Sequence, residues 1–449
     1  MTKTNDCIAD KNFVPDASRY AGTLGAFIRF RTISDDRFYD ETQFSGFLKY
    51  VETRFENIFS QGEYTDFNGG IMIRIKGRDE KSPLVLMSHY DVVPENGKWS
   101  FDAWSGEVRD GVVYGRGAVD TKGSLSAIFE SVESLLKEGF TFLHDLYIVS
   151  SSREEIAGND VPEMVKYLKD KGVRPKLVID EGGGIVDAPV PGTKGKFAML
   201  GMIERSSARL LLEAKGTKGV SAAEKLAKFV LATGKRKFGK RDFGPVNEAM
   251  FKAMTPQMSA PVKFIFSHLN IFKPVLIKLL PKVEKSAAGL LGATVAFSSP
   301  RDDETKDTPS GAQRMVLRAS GNYYNKIDDL IEEITALAKK YDVSVKVLAE
   351  RETPPPEPLD SDGYNFVKGV AEDVFGDVTV CPFCVLGGTD ARHFIGVGES
   401  VIRFAPIYMN KQQFGSFHNT DENIFVDSIV GAVRFYRETI CRFNSSDNK

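Results

Sequence analysis

The chain has 449 residues, 42% hydrophobic and 27% charged, enough apolar material for the cores of two or three globular domains. A formal net charge of -2 offers no basic surplus for nucleic acid, and four cysteines in this length make no disulfide framework, which predicts a reducing, cytoplasmic setting. The opening MTKTNDCIADKNF lacks the apolar core of a signal peptide, and no window reaches the ~18 uninterrupted apolar residues of a membrane span.

In chain order, short β-type runs come first: IMIRIKG (71–77), PLVLMSH (83–89), LYIVSSS (146–152) and KLVID (176–180). Helical segments fall between them at Gly123–Lys137 and Val161–Asp170. Such alternation predicts an α/β domain with a mostly parallel sheet flanked by helices, whose ligand site lies at the carboxyl ends of the strands. From about Ile203 the pattern changes. SARLLLEAKG, ATVAFSS and QRMVLRAS read as strands, while SAAEKLAKFVLATG and NKIDDLIEEITALAKKY carry apolar residues at helical spacing. The predicted organisation is a discontinuous α/β domain over 1–205 and 351–449, interrupted by a smaller α+β domain over 206–350. The latter contains an apolar helical insertion near 238–292, read as core or a subunit interface, whose scattered lysines also permit contact with an amphipathic surface.

The strand ends carry the chemistry. His89 and Asp91 follow VLM, and on a strand residues i and i+2 share a face, so they suit a metal ligand with a supporting carboxylate, or merely a surface-loop pair. In YGRGAVDTKG, Asp120 stands just before a helix, as a ligand or an N-cap. VSSSREEIAG ends on Glu154 and Glu155; on a strand these face opposite sides, so one can ligate while the other serves as general base. LVIDEGGG ends on Asp180 and Glu181, and SFHNTDEN supplies His418, one of only five histidines. Nitrogen and oxygen donors without thiolate suit a hydrolytic zinc, cobalt or manganese centre, and a shared carboxylate can hold two ions. The CPFC run at 381–384 reads as buried structural thiols, and GKRKFGKR at 234–241 as a solvated basic loop.

SHYDVVP, GRGAVDTKG, EE, DEGG, GGTDARHF and FHNTDENI together resemble, in order and spacing, the M20 family of metallopeptidases. That family includes aminoacylase, dipeptidases and glutamate carboxypeptidase, and the insertion before GATVAFSS looks closest to its carboxypeptidase S and N-acyl-amino-acid branch. The resemblance implies a hydrolase with two divalent ions per chain, zinc first and cobalt or manganese as alternatives. Its substrate would be a small molecule cut at an amide bond: a dipeptide, a short peptide C-terminus or an N-acyl amino acid. Asp120 would bridge the ions, with His89 and Asp180 on one and Glu155 and His418 on the other; Glu181 is the rival to Asp180. Glu154 would be the general base and Asp91 the support of His89, while Gly388, Thr389 and Arg318 would bind substrate. The interrupting domain would be a lid through which two copies dimerise.

The chain departs from that pattern at Val220, which occupies the place of the family's lid histidine, a donor to the oxyanion. Losing one such donor typically costs ~100- to 1000-fold in turnover. The alternative is therefore a catalytically impaired relative that binds metal or ligand.

Overall fold

The computed structural model of the protein describes residues 13–283 and 286–445, so residues 1–12 of the N-terminal stretch read above lie outside it. The chain forms two compact units, one of Met1–Met202, Glu357–Phe383 and Thr389–Lys449, the other of Ile203–Pro356 with Cys384–Gly388.

The first unit is built on a ten-stranded sheet. Along it the order is Glu63–Phe67, Gly70–Ile75, His144–Ser150, Asp79–Met87, Leu177–Asp180, Ser400–Arg403, Lys196–Glu204, Gly184–Asp187 and Tyr408–Met409, with Val378–Val385 paired to Lys196–Glu204 off that path. The parallel strands form its centre: Met87 is in register with Val149, Leu86 with Ile179 and Ile402 with Ile179. Both sides are extended by antiparallel pairs, so the whole sheet is mixed. One such pair turns at Asn68-Gly69, with φ of 55° and 97°, the Asn-Gly signature of a tight hairpin.

Helices cover both faces of the centre, which is why its strands are continuous apolar runs rather than alternating ones. Lys122–Lys137 packs against Ala17–Arg29 and Val426–Phe443. On the other face, Met164 and Leu168 of Asp160–Asp170 meet Met72, Val85, Met87 and Val178. Cys381 and Cys384 are buried on Val378–Val385 and form no disulfide.

The second unit has a four-stranded antiparallel sheet in the order Thr294–Ser298, Ala312–Ser320, Ser207–Lys215, Val343–Arg351. Leu210, Leu212 and Leu317 on one face pack under Leu226 and Phe229 of Ala222–Lys235 and Ile334 of Ile327–Lys339. Between Lys235 and Thr294 the chain inserts the helices Gly244–Met254, Ala260–Ser267, Leu269–Val283 and Ser286–Leu291. Among the described residues no single helix is long and apolar enough to cross a membrane.

Candidate metal centre

The strand Asp79–Met87 ends two residues before His89, so the His-Tyr-Asp run is extended loop rather than strand. The two side chains nevertheless meet: His89 Nδ1 lies 2.9 Å from the backbone oxygen of Asp91 and 3.4 Å from its Oδ1. That contact fixes the ring so that Nε2 faces Asp120 Oδ1 at 3.1 Å. Ser88 Oγ donates to the Thr121 carbonyl at 3.0 Å, tying the two loops together one residue from each ligand candidate.

Asp91 is wholly buried and does more than orient His89. Its Oδ2 accepts the Ser34 hydroxyl at 2.6 Å and the Glu155 amide at 3.1 Å, and its Oδ1 accepts the Glu154 amide at 3.1 Å. Glu154 and Glu155 are not on a strand, as the sequence pattern predicts, but on a single 3-10 turn, Glu154–Ile156. The carboxylate of Asp91 accepts both amides and so holds that turn.

The loop bearing Asp120 is held by a residue that the motif reading passed over. Glu422 is fully buried and accepts the amides of Gly117 (3.0 Å), Val119 (2.7 Å) and Asp120 (3.0 Å) together with Arg116 Nη1 (2.6 Å). It stands four residues after His418 in the same FHNTDEN run, so one segment both supplies a histidine and folds the Asp120 loop. Gly117 has φ of +89°, and a Cβ there would come 3.0 Å from Val92 and Lys122. Lys122, also buried, donates Nζ to the carbonyls of Phe27 (3.0 Å) and Phe30 (2.7 Å), capping the helix Ala17–Arg29, and burial pulls its pKa down to about 7.

His418, at φ of 53°, brings Nε2 to 2.9 Å from Asp120 Oδ2 and 3.1 Å from Glu155 Oε2. One donor atom each from His89, Asp120 and Glu155 lies within 4.8 Å of the others, close enough to share an ion. Asp120 thus has one oxygen toward each histidine, the arrangement a bridging carboxylate needs. Imidazole nitrogen and carboxylate oxygen are the donors that zinc and its neighbours take.

Asp180 and Glu181 are separated by their backbone. Asp180 uses Oδ1 to accept the Glu181 amide and Oδ2 to accept the Ala391 amide, both at 2.8 Å. Burial pushes the Glu181 carboxyl well above the ordinary range, aided by the charges of Asp120, Asp180 and Glu155 and opposed by His89. Burial does the same to Glu154, aided by the charges of Asp390, Glu181 and Glu155 and opposed by His89. Burial works against the charge on Asp120, yet hydrogen bonds from His418 and His89 hold its carboxyl below the ordinary range. Hydrogen bonds to Asp120 and Glu155 raise His418 to about 10. So many buried carboxylates around two imidazoles make a trap for positive charge.

Of the other candidates, Thr389 is buried and begins the turn Asp390–Phe394 that delivers the Ala391 amide to Asp180. Gly388 belongs to the second unit, where the Arg351 guanidinium occupies the space a Cβ would need. Arg318 is exposed on the second unit's sheet, in register with Arg209. Val220 closes a tight turn, its amide and carbonyl both bonded to Thr217, just before the helix capped by Ser221. The second unit's one histidine, His268, ends Ala260–Ser267 with its ring 2.8 Å from the Phe264 carbonyl.

The model of the family described as Peptidase family M20/M25/M40 matches residues 85–442. The chain is 27% identical over 436 residues to "N-fatty-acyl-amino acid synthase/hydrolase PM20D1" of Xenopus tropicalis, covering 93% of this chain and 84% of that one. It is also 27% identical over 441 residues to "Probable carboxypeptidase S-like 2" of Dictyostelium discoideum, covering 94% and 84%. In fold it matches the M20 family metallo-carboxypeptidase Sso-CP2 of Sulfolobus solfataricus, with a TM-score of 0.68 at 16% identity over 95% of this chain and 99% of the other. A further fold match, at a TM-score of 0.54 and 13% identity over 98% and 100% of the two chains, is YXEP of Bacillus subtilis, described as a dinuclear metal-binding M20 peptidase.

Proposed function

The chain belongs to peptidase family M20, and from that premise we propose that it hydrolyses the amide bond of an N-acyl amino acid or short peptide next to a free carboxylate. The observation that carries this reading is Asp120 between His89 and His418, with Glu155 on the second histidine and Glu154 beside them. The names of the N-fatty-acyl-amino acid and carboxypeptidase S-like relatives support the substrate class.

Asp120 would bridge two divalent ions, with His89 and Asp180 holding one, Glu155 and His418 the other, and Glu181 as the rival to Asp180. Asp180 accepts one backbone amide on each oxygen, which orients its carboxylate and leaves lone pairs free for an ion. Zinc is the first expectation, with cobalt or manganese as alternatives. Bound divalent ions supply Lewis-acid polarisation of the scissile carbonyl and make water a nucleophile near neutral pH. Glu154 accepts a proton from the attacking water as its oxygen bonds to the carbonyl carbon. The same carboxyl then gives that proton to the amide nitrogen as the C–N bond breaks, releasing an amine and a carboxylic acid. Asp91 keeps the base and the His89 ring in register through three hydrogen bonds.

The second unit is assigned as the lid and dimerisation element, with Arg318 gripping the substrate carboxylate and Gly388 and Thr389 lining its path. Val220 favours a second reading, in which turnover is slow or lost while metal binding persists. A panel of dipeptides and short- and long-chain N-acyl amino acids, with zinc, cobalt and manganese, decides between them. Metal-dependent hydrolysis that disappears in Glu154→Gln supports the hydrolase; full metal loading with no turnover on any substrate supports the second reading.

A further inference from the structure

The inserted helices Ala260–Ser267 and Leu269–Val283 meet at 110° and present a face that the hydrolase reading leaves unused. They are anchored from beneath by Phe266, stacked on Phe251 at 4.8 Å, and by the buried Leu276. On the outer side Ile271, Val275, Leu279 and Val283 are 71%, 52%, 48% and 64% exposed. Their four-residue spacing makes one continuous row along the helix. Phe264, 58% exposed, continues it onto the other helix, its ring 6.0 Å from that of Phe272. A row of large aliphatic side chains held in water is costly and is normally covered.

The charges beside the row say what covers it. Residues 260–283 contain Lys263, Lys273, Lys278 and Lys282 and no acid, in a chain of net charge -2. Lys273 is turned to Asp242 and Glu248. Lys263, Lys278 and Lys282 are exposed with no ion pair among the described residues, and the last two stand one position before Leu279 and Val283. Apolar row and lysine shoulder are the two parts of a helix that lies in a membrane interface, its aliphatic side chains among the acyl chains and its ammonium groups at the phosphates. A second copy suits the face less well, because a two-fold contact would set lysine row near lysine row.

We propose that this face docks on an anionic lipid surface, as a peripheral attachment that does not span it. The inference stands independently of the reaction catalysed. It is tested by floating the full-length protein with vesicles of phosphatidylcholine plus phosphatidylserine, and with phosphatidylcholine alone. The wild type is expected to float with the anionic vesicles and to release as salt rises. Ile271→Asp/Val275→Asp/Leu279→Asp and, separately, Lys278→Glu/Lys282→Glu are each expected to lower that partition about tenfold or more, with hydrolysis of soluble substrate unchanged. No flotation of the wild type, or equal flotation of both variants, would overturn the proposal. So would a wild-type dimer, seen in sedimentation, that the triple aspartate variant dissolves; the face would then belong to a second copy.

Discussion

Asp91 accepts the backbone amide of Glu154 at 3.1 Å while standing 3.4 Å from the Nδ1 of His89. One buried residue therefore sets both the candidate base and a candidate ligand: its Oδ1 faces both, and its backbone oxygen lies 2.9 Å from His89 Nδ1. Asp91→Asn cannot accept at every one of these positions and is expected to lower hydrolysis or metal affinity by about 10- to 100-fold. Steady-state kinetics with metal titration measure it; wild-type values for both would remove Asp91 from the site.

Asp180 and Glu181 make a paired prediction. Asp180→Asn is expected to lower bound metal toward one ion per chain, its carboxylate being oriented by two backbone amides, whereas Glu181→Gln keeps its metal. Elemental analysis of the two variants settles the assignment. Metal kept in Asp180→Asn and lost from Glu181→Gln would make Glu181 the ligand instead.

This pair also marks the limit of what was legible in the sequence. Strand ends and helix faces follow from apolar periodicity and glycine punctuation, both local signals, whereas the joint role of His89, Asp120 and His418 was expected only from the family resemblance. What orients the Asp180 carboxylate is the Ala391 amide, more than two hundred residues away. The 3-10 turn of Glu154 and Glu155 is likewise imposed by Asp91, so a period-two reading of that run fails. The mixed sheet was marked locally by Asn68-Gly69, a hairpin signal that the alternation of strands and helices overshadowed.

Glu422 was less visible, since an acid four residues from a candidate ligand reads as loop solvation. Its carboxylate gathers three amides and Arg116 in a fully buried place. Glu422→Gln leaves Arg116 short of its charge partner, and breaking such a buried pair costs about 3–5 kcal/mol. Thermal unfolding of the metal-free variant is expected to move down by several degrees, with weakened metal binding because the Asp120 loop loosens. An unchanged melting temperature would show that Arg116 finds another partner.

Proton and metal compete for the histidines. Hydrogen bonds to Asp120 and Glu155 lift His418 to about 10 in the metal-free protein. The stabilisation that the protonated ring contributes is complete below its ordinary value of about 6.5 and is lost as pH rises through that raised value. A ligating imidazole must be neutral, so metal binding at neutral pH displaces protons and its apparent affinity rises with pH. Calorimetry in buffers of different ionisation heat is expected to show net proton release; no release at pH 7 would mean the rings are already neutral.

The most direct test of the central assignment is Glu154→Gln, assayed for metal content and for metal-dependent hydrolysis of an N-acyl amino acid that the wild type cleaves. The expected result is two ions retained per chain with turnover lowered by about 10²- to 10⁴-fold, the range for a missing general base. Turnover within a few-fold of wild type at full metal loading would contradict the assignment of Glu154 as the group that carries the proton.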